Sequence, residues 1–168
     1  MRWRSFVVVS AAVASLVAGC GARGGPKGAT PQGTAGPRRL TIDAKAPVTL
    51  VGQYKQGQKV DIEPKAGEWS NGPGMTMVGP EGDTKSLCMG DGGHHCIGGD
   101  AMAPLMGLIM LMTPCPIEQA SCTVFGRDYV DGPMTLTVPR DGYLYLAPND
   151  WAEAVGDNGG SVQVDVTP

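Results

Sequence analysis

The sequence predicts an all-β protein, a single jelly-roll-like antiparallel β-sandwich over residues 40–168, preceded by a signal peptide and a flexible tether. Three observations carry that expectation. Apolar and polar residues alternate with a period of two in several segments, as they do in strands with one buried face. Turn-forming groups of Gly, Pro, Asn and Asp separate those segments. Four cysteines in an exported domain point to two disulfides, which suit a loop-rich sandwich.

Residues 1–19 come first. Arg2 and Arg4 precede an apolar run from Phe6 to Ala18, broken only by Ser10 and Ser15, which is the pattern of a secretion signal. The run is too short to span a bilayer comfortably as a permanent helix. Its end, Leu16-Val17-Ala18-Gly19-Cys20, resembles a bacterial lipoprotein box. The resemblance implies cleavage before Cys20 and lipidation of that cysteine with acyl (palmitate-type) chains; the alternative is a cleaved signal that leaves a free thiol. Gly21 in place of Asp favours an outer membrane by the family's sorting tendency, and stable anchoring takes more than one acyl chain.

Residues 20–39 are Gly, Pro, Ala, Thr and Arg in the main, the composition of a tether that spans on the order of 25 Å. Arg23, Lys27, Arg38 and Arg39 give it a charge of +4, whereas residues 40–168 set seven basic against all 16 acidic residues, a net −9. The tether's cations either touch anionic lipid or surface polymer or simply keep it solvated. The acidic domain argues against a nucleic-acid partner.

The 129 residues from Leu40 onward are enough for one real core. Lys59–Glu63, Met134–Val138, Tyr143–Leu146 and Ser161–Val166 alternate as half-buried strands. Leu105–Met112 is instead a continuous apolar run with Gly107 inside, which reads as a strand buried on both faces. Turns are expected at Gln56-Gly57, Asn71-Gly72-Pro73-Gly74, Gly79–Asp83, Asp131-Gly132-Pro133 and Asp141-Gly142. No internal repeat is present.

Lipidation of Cys20 leaves Cys88, Cys96, Cys115 and Cys122. Three pairings are open; the local one, Cys88 with Cys96 and Cys115 with Cys122, is expected, and each short loop so closed contributes roughly 2–3 kcal/mol in the chain-entropy model. A soft-metal site built on Cys88, His94, His95 and Cys96 competes with that reading, although structural zinc sites usually show shorter, regular spacing. Copper(I) is a further alternative, since Met75, Met77, Met89, His94 and His95 offer thioether and imidazole ligands. Against it, methionines at alternating positions are more often core filler, and Met106, Met110 and Met112 are expected to be only that. Both histidines lie in one loop and no nucleophile-base constellation is visible, so no enzyme is expected.

The densest chemistry lies near the C-terminus. Asn149-Asp150 is followed by Asp157-Asn158 and Gly159-Gly160-Ser161, so four oxygen-bearing side chains crowd one short loop. Hard oxygen ligands suit calcium, which takes six to eight of them. An ordinary polar turn uses the same residues for backbone reasons.

In order along the chain, Tyr54, Gly57, Val60-Asp61-Ile62, Ala66-Gly67-Glu68-Trp69, Asn71-Gly72-Pro73, Gly79–Asp83, Gly107-Leu108-Ile109, Gly142–Leu146, Asn149-Asp150 and Asp157-Asn158-x-Gly160-Ser161 resemble the LecA-like (galactophilic lectin) domain of bacteria. The resemblance covers nearly all of Tyr54 to Val166. It implies a small galactose-binding-like jelly roll with calcium in the final loop, bridging to sugar hydroxyls. Carried over by position, Asp150, Asp157 and Asn158 are side-chain ligands, and Ala154 and Asn71 give backbone carbonyls. Two vicinal hydroxyls of a hexose complete the sphere while Asp150 and Asp157 accept their hydrogen bonds. The lectin has Asn where this chain has Asp157, and the added negative charge predicts tighter calcium.

Trp151 either covers the apolar face of a sugar or packs the loop. Between Asp83 and Asp100 the lectin's short His- and Gln-bearing segment is replaced by a longer Gly-rich one, so galactose specificity does not transfer; His94 and His95 either supply the second half of a pocket or are exposed spacers. The expectation is a membrane-anchored, calcium-dependent carbohydrate-binding lipoprotein, with a calcium-stabilised structural or protein-interaction module as the alternative.

Overall fold

The computed structural model describes residues 36–89, 95–99 and 103–168. The signal peptide, Cys20, the tether as far as residue 35 and His94 lie outside the described residues. The strands are β1 (Arg38–Asp43), β2 (Thr49–Tyr54), β3 (Lys59–Ser70), β4 (Asp83–Leu87), β5 (Pro104–Leu105), β6 (Leu108–Thr113), β7 (Gly126–Tyr129), β8 (Met134–Thr137), β9 (Gly142–Pro148) and β10 (Gly159–Thr167), with one 3-10 turn at Val155–Asp157.

Two four-stranded antiparallel sheets form the expected sandwich, in the orders β1-β10-β3-β8 and β2-β9-β6-β7, while β4 and β5 make a small third sheet. The chain passes back and forth between the two large sheets, as in a jelly roll. Alternation along each strand decides what faces inward. Ile42, Val60, Ile62, Val162, Val164 and Val166 of the first sheet meet Val51, Met110, Met112, Leu144 and Leu146 of the second in one core.

The apolar run at Leu105–Met112 is buried as expected, but it is not one strand. Met106 takes a φ of 61° and, with Gly107, turns the chain between β5 and β6. All of β6 is buried, and both of its faces have cover. Leu108, Met110 and Met112 face the sandwich core, while Ile109 and Leu111 join Tyr145 in a second cluster under Ile97, Ile117 and Val124. Ile117 lies inside the loop closed by Cys115–Cys122, and Ile97 and Val124 follow Cys96 and Cys122 by one and two residues; the disulfides Cys88–Cys96 and Cys115–Cys122 are the local pairing. The disulfides therefore hold down the lid that lets a central strand be apolar on both sides.

The tether boundary shifts as well. Arg38 and Arg39 belong to β1, where Arg39 pairs in register with Asp165 of β10 and donates to its carboxylate at 2.7 and 2.9 Å. That bond to Arg39 holds Asp165 below the usual carboxylate range, although an exposed pair of this kind adds little stability.

β3 and β10 run side by side for most of their length. Pro64 has no amide hydrogen to give, and the ladder takes up the loss as a bulge opposite Gln163 and Val164. Nearer the upper end, Gly67 (φ 104°) and Gly160 (φ 87°) sit in the left-handed region, and a Cβ on either would strike a carbonyl oxygen of the facing strand. Trp69, fully buried, closes this end: its N–H and carbonyl pair with Val78 at 2.9 and 2.8 Å, and its indole N–H donates to the Gly79 carbonyl at 3.1 Å. Trp69→Ala is expected to cost about 3–5 kcal/mol in urea unfolding under oxidising conditions. Thr41→Ala, on an exposed face of β1, should stay within about 0.5 kcal/mol.

Candidate functional site

Strand register builds the site. Ser70 faces Gly159 and Trp69 faces Gly160, so the residues just after β3 and just before β10 are neighbours. Asn71 and Gly72 thereby lie against the Asp157-Asn158 turn; a Cβ placed on Gly72 would stand 3.8 Å from Asp157 Oδ2. Buried Ser70 shapes the first of these turns, its hydroxyl donating to the Gly72 carbonyl at 3.2 Å.

The other wall comes from the end of β9. Asn149 is fully buried and every polar group on it is used. Its N–H donates to Gly107 and its carbonyl accepts from Met106, both at 2.8 Å. Its side-chain oxygen accepts from the Gly98 N–H at 3.1 Å, and its amide donates to the Ala103 and Pro104 carbonyls at 3.1 and 3.0 Å. Of the four side chains that crowd the loop in the sequence, Asn149 is thus a tie within the fold, which leaves Asp150, Asp157 and Asn158.

Asp150 is 5% exposed and Asn158 fully buried. Asp150 Oδ1 accepts from the Trp151 N–H at 2.8 Å, whereas Oδ2 has no hydrogen-bond partner. The Asn158 amide donates to the Ala44 carbonyl at 3.1 Å, and its Oδ1 likewise has none. Two buried oxygens left unpaired cost about 1–3 kcal/mol each, and native proteins rarely keep such groups without a reason. Desolvation pushes the Asp150 carboxyl above its usual range; the Trp151 N–H and the Asn158 side chain offset part of that, and the charges of Asp157 and Glu153 add to it.

The intervening turn completes the arrangement. The Ala154 N–H donates to Trp151, and Asp157 and Asn158 donate back to the carbonyls of Ala154 and Val155 at 3.2 and 3.3 Å. The Ala154 carbonyl retains its second lone pair. Asp157 is exposed at the rim and Asn71 half-buried beside it. Among the described residues no three of His, Cys, Asp and Glu gather into a metal-binding group. The donors at this loop are two carboxylates, a carboxamide and backbone carbonyls, a hard set of the kind calcium takes.

The segment that departs from the lectin pattern is clamped to this loop. The Ile97 N–H donates to the Asp150 carbonyl at 2.9 Å, the Ala152 N–H to the His95 carbonyl at 3.3 Å, and Cys96 forms a β-bridge with Trp151. Trp151 is half-buried and its indole N–H donates to the Met89 carbonyl at 3.2 Å, which ties the disulfide-closed segment to the loop. His95 is exposed. Because Cys88 and Cys96 are joined to each other, their sulfurs are not free as thiolate ligands. Met106, Met110 and Met112 fill the core as expected, but Met75 and Met77 do not: they are 55% and 45% exposed, and Met89 is 70% exposed. Ser70, Ala44 and the Met89 carbonyl are contributors that sequence patterns do not reveal, since each acts through a backbone contact or a strand register.

A carboxyl whose folded pKa is raised binds protons more readily folded than unfolded. Asp150 therefore makes the chelator-treated domain lose stability as pH rises from the ordinary Asp value of about 3.9 through the raised one. The lowered carboxyls Asp83, Asp141 and Asp165 act below that window, where stability falls as they are protonated. Urea midpoints measured from pH 4 to 7 should show the decline, and Asp150→Asn should flatten it. Replacing Cys88 and Cys96 together by Ser should cost roughly 2–3 kcal/mol and speed hydrogen exchange at the Ile97 and Ala152 amides.

No family model matches the chain, and no curated protein matches it. Among solved structures it is similar to one described as "EclA N-terminal domain; PllA-like lectin", at 21% identity and a TM-score of 0.50, over 77% of this chain and 93% of that one. At that identity the likeness is one of fold, the β-sandwich.

Proposed function

We propose that this chain is a membrane-anchored, calcium-dependent carbohydrate-binding protein without enzymatic activity. The observation that carries the reading is the pair of buried, unpartnered oxygens, Asp150 Oδ2 and Asn158 Oδ1, beside the Asp157 carboxylate. A divalent cation would satisfy both oxygens at once. Asp150, Asp157 and Asn158 would hold it with the carbonyls of Ala154 and Asn71, all on turns brought together by one strand pairing. The solved structure of like fold is described as a lectin, which supports a sugar as the ligand.

Calcium held there would supply coordination to two vicinal hydroxyls of a hexose. Asp157, at the exposed rim, accepts a hydrogen bond from one such hydroxyl, and charge-assisted bonds of this kind fix the sugar's orientation. The exposed part of Trp151 lies next in the chain to Asp150, and His95 sits beside Ala152, where the two would meet the rest of the sugar. Acylation at Cys20 holds the domain on the cell envelope, at the outer membrane.

The second reading, a calcium-stapled interaction module that binds no sugar, is favoured by one observation. The disulfide-closed segment spends the Trp151 indole N–H and the Ala152 N–H on holding itself to the loop.

Calcium titrated calorimetrically into a chelator-stripped, disulfide-intact Pro31–Pro168 unit should saturate one site. Asp150→Asn and Asp157→Ala should each weaken it at least about tenfold, roughly 1.4 kcal/mol, while Asp150→Asn leaves the metal-free domain as stable or more so. Glycan-array binding that a chelator abolishes would establish the lectin reading. Calcium binding with a silent array would establish the module.

A further inference from the structure

A cleft of about 330 Å³ opens beside the candidate loop and shares Asn71 with it. Its floor is Leu105 and Met106, and the Met106 N–H is bonded to the Asn149 carbonyl, one residue before Asp150. One wall is Met75, Thr76 and Val78, following the Asn71-Gly72 turn; the opposite wall is Asp83, Lys85 and Ser86 of β4. The volume falls at the small end of the roughly 300–1,000 Å³ that ligand pockets occupy.

We propose that this cleft is a second saccharide subsite, so that the protein takes an oligosaccharide of at least two units, one at the Asp150–Asn158 loop and the next against β4. The proposal rests on the carbohydrate-binding reading and specifies its ligand class. The chemistry of the walls matches a pyranose ring, which has an apolar C–H face and hydroxyl edges. Met75, 55% exposed, with Leu105 and Met106 beneath, lines the cleft with adaptable apolar atoms. At the rim, Asp83 accepts only and Lys85 donates only, and a sugar hydroxyl does both. The Asp83 carboxylate is already aimed: its Oδ1 accepts from the Lys85 N–H at 3.0 Å, and the Ser86 hydroxyl bonds to it as well. A pre-set acceptor loses less entropy on binding. Asn71 belongs to both the cleft and the candidate loop, which sets the two within reach of one glycan.

The test uses the whole chain, calcium-loaded, on an array of hexose mono- to tetrasaccharides, beside Lys85→Ala, Thr76→Trp and, as the control in the loop, Asp157→Ala. Oligosaccharides should bind at least about tenfold more tightly than the matching monosaccharide, as one or two added hydrogen bonds would give. Lys85→Ala and Thr76→Trp should erase that gain without changing monosaccharide affinity, and Asp157→Ala should abolish binding of both. Equal affinity for mono- and oligosaccharides, or oligosaccharide binding indifferent to both cleft variants, overturns the subsite while leaving the loop reading intact. Glycan binding that both cleft variants weaken, yet that neither a chelator nor Asp157→Ala affects, would keep the cleft and sink the calcium loop. No glycan bound at all overturns both.

Discussion

The pairing of β3 with β10 is the constraint on which the rest depends. It forms the middle of the first sheet, aligns the inward-facing valines and isoleucines of both strands, and sets Ser70 against Gly159. That last pair brings a turn from the first half of the domain against one near its end, and no local propensity could do so. Gly67 and Gly160 permit it, because the two backbones approach too closely there for any side chain. A one-residue slip would turn every inward valine outward, so the register is held by the whole core rather than by the site.

The site in turn spends stability that the core provides. A buried carboxylate with one free oxygen, next to a second carboxylate and a third acid, is an arrangement that folding alone disfavours. Asn149 shows the contrast. It is the neighbour of Asp150 and equally buried, yet all its polar groups are bonded to protein. Two adjacent polar residues thus divide the work: one locks β9 to the surrounding turns, and the other is left electrostatically incomplete.

Much of the sandwich was legible in the sequence, for a physical reason. β8 and β10 alternate between more exposed and more buried positions, so alternation marks them within a residue or two. β9, expected to be half-buried at Tyr143–Leu146, is instead covered on both faces because Tyr143 and Tyr145 pack into the second cluster. β1, β2, β4 and β7 carried no such mark and were not expected. β1 begins with two arginines whose composition belongs to a tether, and only pairing with β10 makes them a strand. The run at Leu105–Met112 announced burial but concealed its turn, since Met106 in a left-handed conformation has no signature. At the site, Asp150, Asp157 and Asn158 stood out as oxygen donors, but Asn149 did too, and composition cannot tell a ligand from a brace. The clamp between Met89 and Trp151 was illegible because it runs through a carbonyl.

The order of the strands along the chain has a consequence for how the protein is made. β3 lies between β10 and β8, and both of those come later in the sequence. As the polypeptide emerges amino terminus first, its longest strand must therefore wait, with both edges bare, until most of the domain has followed. Bare edges invite pairing with a second nascent copy. Lys59, Asp61, Lys65 and Glu68, set along the exposed positions of β3, place charge of both signs where an intruding strand would lie. Any competence to capture a ligand appears only with the arrival of the last strand, which makes the unfinished protein inert by construction.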